Sequence, residues 1–181
     1  MCRYVVSEGG SSKFPPELHG GLWHTTPPDR YLGIVEAGHI LPDPPVPESE
    51  RWKTSRGPEY HPYVRALGGV SLFDFQDFDP DAYNETHPMS SWAEFVPCSR
   101  TSGVAMWLQI DRFKVSAALI GADALVARWK EESAYRHTIM PRIEAAHLGP
   151  LPLKAVLRVL RFGLDTGRFE EIAVPKGVLR T

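Results

Sequence analysis

The stretch Gly21–Pro42, GLWHTTPPDRYLGIVEAGHILP, decides how this chain is read. GLWHT has the apolar and aromatic run of a strand. A helix is then predicted from Thr26-Pro27-Pro28-Asp29: the threonine can cap, a proline suits the first turn, and Asp29 brings a carboxylate three residues after the cap. Tyr31, Leu32 and Val35 form an apolar stripe, and Gly38 supplies the left-handed stop. On the strand, His24 and Thr26 alternate and therefore share a face. The helix start at Pro27 lies beside them, and its unpaired N–H groups favour an anion.

Outward from this stretch, the chain alternates short elements with turn-rich connections. CRYVV (2–6) reads as a strand and SEGGSSKFPPELHGG as a mobile, turn-rich loop. Residues 41–66, LPDPPVPESERWKTSRGPEYHPYVRA, are proline-rich and polar, so a long loop is expected there. GGVSLFDF (68–75) is the next strand and QDFDPDAYNETHP an acidic loop. SWAEFV fits a short helix or a strand. GVAMWLQI (103–110) is apolar on both faces, which places it inside a sheet.

GADALVARWKEESAYRH reads as a helix with Leu125 and Trp129 one turn apart, and TIMPRIEAAHL as a strand bent or edged by Pro141. In PLPLKAVLRVLRFG, residues 153, 156, 157 and 160 fit a helix, whereas 156, 158, 160 and 162 alternate as in a strand. One helical turn followed by a strand is preferred, because GLDTG then makes a hairpin loop to RFEEIAV. Six or seven short strands with two or three helices make an α+β domain.

Bulk properties narrow the function classes. With 181 residues, a single domain spanning 1–181 is expected. The hydrophobic content of 43% supports a full core. The net charge of −2 gives no global basic field toward nucleic acid or membrane. Cys2 and Cys98 form no CxxC pattern, which argues against a disulfide framework or a structural zinc site. Lacking an 18-residue apolar run and a secretory h-region, the chain is expected to be soluble and cytoplasmic, with no membrane partner. Trp23, Trp107 and Trp129 read as core. The stretch FDFQDFDPDAY lacks the spacing of a calcium loop and reads as solvated. Lys154, Arg158, Arg161 and Arg168 are the residues of a possible basic face.

The spacing H-x-T, then Ile34 and Gly38, together with Glu144 in RIEAAHLGPLPLKAV, resembles the ADP-ribosyltransferase-like superfamily. The nearest-looking branches are its DNA-targeting toxins and the RNA 2′-phosphotransferases, which open on a similar YHxT…IL..G stretch. The resemblance implies two small packed antiparallel sheets around an NAD cleft. It implies that His24, Thr25 and Thr26 bind NAD, that Glu144 is the catalytic carboxylate with Gly149–Pro152 as its trailing loop, and that GGVSLFDF brings Ser71 or Phe73 to the cofactor. The middle strand carries neither the arginine nor the tyrosine usual in the family.

The chemistry suits these residues. Breaking the nicotinamide–ribose bond develops positive charge on the sugar, which a carboxylate stabilises while it orients a hydroxyl or deprotonates an acceptor. Imidazole and hydroxyl groups can hydrogen-bond the ribose. The implied activity is transfer of ADP-ribose to a nucleic-acid or protein acceptor with release of nicotinamide; acceptor and any antitoxin partner stay open. Two alternatives stand beside it: an RNA 2′-phosphotransferase-like enzyme, which needs arginines converging on a phosphate, and a non-catalytic nucleotide-binding or interaction module. Glu144 also has a purely structural reading, as a carboxylate paired with Arg142 or His147.

Overall fold

In the computed structural model, residues 13–51, 56–87, 92–96 and 103–174 are described. Strands β1 (Leu22–Thr26), β3 (Gly69–Asp74), β4 (Val104–Ile110), β5 (Leu119–Ile120), β6 (Glu144–Leu148), β8 (Val156–Gly163) and β9 (Arg168–Ile172) form one antiparallel sheet in the order β5-β6-β3-β1-β4-β8-β9. A second sheet pairs β2 (His39–Ile40) with β7 (Leu151–Pro152). The helical segments are α1 (Pro28–Ala37), α2 (Tyr63–Ala66), α3 (Pro80–Thr86), α4 (Arg112–Val115) and α5 (Ala122–Glu131), with single 3₁₀ turns between them. The fold class is therefore α+β, as expected. The sheets are unequal rather than both small, and the helical segments are more numerous than expected because several are a single turn. The predicted strand at 2–6 lies outside the described residues.

One detail of the large sheet creates the site. β1 and β3 pair only at Leu22↔Asp74 and Trp23↔Phe73. Beyond these pairs, His24–Thr26 stay registered with β4, while Gly69–Leu72 stay registered with β6. The sheet therefore forks between β1 and β3. A ladder opened this way leaves backbone groups that need other partners.

Two apolar layers fix the fork. On one face, Leu22, Leu72, Met106, Leu108, Ala145 and Val159 pack under α1 and the β2–β7 pair. On the other, Trp23, Phe73, Phe75, Trp107 and Phe162 form an aromatic core, in which Phe73 lies 5.2 Å from Trp107 and 5.7 Å from Phe75. Trp23 and Trp107 are fully buried, and Trp129 packs beside Leu125 against β6. Burial of each large side chain contributes about 1.5–3 kcal/mol. Gly69 permits the close seat of α2: a Cβ there would come within 3.1 Å of Val64 Cγ1 and 3.2 Å of the Val64 carbonyl.

Local signals explain most elements. Gly38 closes α1 at φ 71°, its N–H donating to the Ile34 carbonyl. The predicted turn at Leu153–Ala155 leads into β8, whose hairpin partner is β9. Three readings are corrected. The cap of α1 is Pro27, while Thr26 stays in β1, 7% exposed, because pairing with Met106 of β4 holds it in the sheet. Leu32 points to solvent at 68% exposure, leaving Tyr31, Ile34 and Val35 as the packed side of α1. The acidic stretch after β3 contains α3, started by Asp79, whose carboxylate accepts from the N–H groups of Asp81 and Ala82. Among the described residues, no helix is long and apolar enough to cross a membrane.

Candidate active site

The fork opens into a cavity of about 600 Å³. Its walls include His24, Thr25 and Thr26 from β1, one side of α1, residues 41, 42, 44–46 and 51 of the loop that follows β2, Arg65 of α2, and Ser71 and Glu144 from the opposite arm. An imidazole from near the start of the chain and a carboxylate from near its end thus line one space. Phe73 does not: at 7% exposure it belongs to the aromatic core, in the last pair joining the two arms.

Ser71 connects the two arms. His24 Nδ1–H donates to the Ser71 carbonyl at 3.1 Å, a side chain crossing the gap where the strand ladder has opened. Ser71 Oγ donates to Glu144 Oε1 at 2.6 Å. The other oxygen, Glu144 Oε2, accepts the Met140 N–H at 3.1 Å, and the Glu144 N–H returns a bond of 2.9 Å to the Met140 carbonyl. The turn 140–144 is thereby closed reciprocally, with Arg142 in the left-handed region at φ 58°. Arg142 faces Asp123 at 3.4 Å, and His147 Nδ1–H donates to the Gly149 carbonyl, so neither is the partner of Glu144.

This setting tunes both groups. Glu144 is 1% exposed, and loss of hydration pushes its carboxyl up to about 7, against the opposing pull of Ser71 and the Met140 N–H. The acid therefore titrates at neutral pH. Burial holds the His24 imidazole below its ordinary range, with the Ser71 carbonyl pulling weakly the other way. With Nδ1 carrying the proton for Ser71, the neutral ring keeps Nε2 as an acceptor.

A second set of groups in the wall went unnoticed in the sequence. Arg30 of α1, Arg51 and Arg65 of α2 all line the cavity. Arg30 meets Glu50 at 3.3 Å, and Arg65 grips both oxygens of Glu48 at 2.6 and 2.8 Å. Arg51 pairs with Asp43 and donates to the Pro44 carbonyl and, at 3.1 Å, to the Val46 carbonyl. The available signal was the matching of Asp43, Glu48 and Glu50 with three arginines across residues 30–65. The arginines considered instead sit elsewhere: Arg158 bonds Gln109 at 2.6 Å and lies 5.3 Å over the Trp23 ring, and Arg161 meets Glu170 at 3.5 Å.

Among the described residues, no cluster of histidine, cysteine or carboxylate side chains is placed to hold a metal ion. The acidic cavity beside α3 is walled by Asp74, Asp77, Asp79 and Asp123 but also by Arg112 and Arg142, and Arg112 is paired with Asp74. Known family models, curated proteins and solved structures were compared with this chain, and none of them matches it.

Proposed function

We propose that the forked-sheet cavity binds NAD and that the protein is an ADP-ribosyltransferase, with Glu144 as its catalytic carboxylate. The observation that carries this reading is the chain of contacts His24–Ser71–Glu144 across the fork. It sets a buried acid poised near neutrality opposite a neutral imidazole in a cavity of cofactor size. The residues present fit NAD: the arginines suit its pyrophosphate, and Glu144 suits the cationic nicotinamide end. When bound, NAD supplies an electrophilic sugar carbon with nicotinamide as the leaving group.

The chain's own groups then divide the work. Glu144, once ionised, places negative charge where positive charge develops on the ribose, and it can take the proton of an incoming hydroxyl or amine. Ser71 holds Glu144 Oε1 at a fixed angle, and Met140 N–H holds Oε2. His24 Nε2 and the hydroxyls of Thr25 and Thr26 are available to sugar hydroxyls. The acceptor proposed is a nucleic-acid or protein group. A second reading, RNA 2′-phosphotransfer, is favoured by one observation, the three arginines in the same wall.

Nicotinamide release from NAD tests the proposal. The wild-type protein releases it, and Glu144→Gln reduces the rate by at least about 100-fold. Unchanged turnover in the variant removes Glu144 from the catalytic role. Binding of NAD without release by the wild type leaves the non-catalytic module as the reading.

A further inference from the structure

The arginines of the wall meet carboxylates that belong to the cavity's own covering segment. Residues 42–51 run from the end of β2 across the cavity, contributing Pro42, Pro44, Pro45 and Val46 to its lining. Arg51 ties this segment to itself through Asp43, two backbone carbonyls and, at 3.5 Å, Glu48. Its fastenings at the turn Glu48–Glu50 are different in kind, because their cations come from elsewhere in the fold. Arg30 of α1 donates to the Glu50 backbone carbonyl at 3.0 Å and meets its carboxylate at 3.3 Å; Glu48 reaches Arg65 of α2, which also lies 3.5 Å from Asp43, with His61 Nε2 at 3.8 Å from Glu48.

Exposure separates the partners. The Arg30 and Arg65 side chains are 27% and 23% exposed, whereas Glu50 and Glu48 are 56% and 54% exposed. The guanidinium groups are built into the cavity wall, and the carboxylates reach them from the solvent side. Arg65 takes Glu48 through two parallel bonds, the geometry with which a guanidinium also takes two oxygens of a phosphate. Solvent-facing pairs of this type are weak, so a ligand carrying two charges can replace them.

We propose that the segment 42–51 is an anionic strap: Glu48 and Glu50 occupy Arg65 and Arg30 as built-in competitors, and a phosphate-bearing ligand enters by exchanging with them. The ligand class is a pyrophosphate-containing nucleotide. This rests on the dinucleotide reading of the cavity, although the exchange itself needs only the phosphates. It also assigns a role to the proline content: Pro42, Pro44, Pro45 and Pro47 leave the stretch ahead of the Glu48–Glu50 3₁₀ turn with few backbone donors, so it holds its path while that turn unfastens.

The test uses the whole chain and titrates inorganic pyrophosphate and NAD calorimetrically. Glu48→Gln/Glu50→Gln leaves Asp43 and Arg51 in place, and circular dichroism checks its fold. The double variant is expected to bind pyrophosphate about tenfold more tightly than the wild type, which corresponds to about 1.4 kcal/mol. Arg65→Gln is expected to weaken it by a similar factor. Equal or weaker binding by the double variant overturns the strap. Hydrogen exchange gives a second readout on the unaltered protein: pyrophosphate should speed exchange of the amides in 43–50, and slower or unchanged exchange also overturns it. Tighter pyrophosphate binding without nicotinamide release from NAD by either protein keeps the strap and refutes the transferase. Nicotinamide release together with unaltered pyrophosphate affinity does the reverse.

Discussion

Replacing Glu144 by glutamine should stabilise the protein at alkaline pH while removing the carboxylate on which the proposed transfer depends. The carboxyl titrates at about 7 in the fold against 4.5 for a hydrated glutamate. The folded state thus holds its proton more tightly than the unfolded state. Stability is therefore greatest below the unfolded value and falls as pH rises through the folded one. The difference corresponds to about 3 kcal/mol in full. Between about pH 5 and about pH 8.5 the wild type should lose most of this, roughly 2 to 3 kcal/mol, which the glutamine variant keeps.

Glutamine can keep both contacts of the carboxyl, with its second amide N–H and the freed Ser71 hydroxyl hydrogen left to the cavity that both residues line. The glutamine carbonyl can accept the Met140 N–H, and its amide can donate to Ser71 Oγ, reversing the bond that Ser71 now gives. Urea unfolding of both proteins across this range measures the effect. Taking the difference between them cancels every other titrating group. Parallel stability curves would show that Glu144 is hydrated in solution, and the argument from its burial would fall. The proposed transfer needs the ionised form, so under that proposal nicotinamide release by the wild type should rise with pH through about 7, opposite in sign to stability.

Two further outcomes follow from the same geometry. Ser71→Ala removes the donor that favours the charged carboxylate, so the midpoint of the pH–rate profile should move upward; a midpoint that stays put or moves down contradicts the assigned bond. Gly38→Ala should cost about 1 kcal/mol in urea unfolding, because φ is 71° and a Cβ there touches nothing, leaving backbone strain as the whole effect; a neutral result refutes the left-handed stop.

Legibility tracked how local each signal is. Gly38 stops α1 and Val104–Ile110 is an inner strand, both because neighbouring residues carry the information. The hairpin of β8 and β9 was legible for the same reason. The capping signal Asp79-Pro80 was equally local and was overlooked beneath the acidity around it. Phe73 illustrates the limit of pattern reading. It shares a strand side with Ser71, two residues away, yet one faces a cavity and the other a packed aromatic core. Nothing in FDF or SLF distinguishes them; the point at which β1 leaves β3 does. Arg30 and Arg65 likewise became neighbours of one cavity only through the packing of α1 and α2 around the fork.

The sequence by itself determined most of the kinds of element and the side-chain chemistry at His24, Ser71 and Glu144. Both depend on a residue and its neighbours a few positions away. Tertiary structure alone decided that the sheet forks, that strands distant in sequence deliver His24 and Glu144 to one cavity, and that Glu144 is dry. Desolvation is a property of everything packed around a group. A glutamate written in a chain has an ordinary acidity until the fold removes its water.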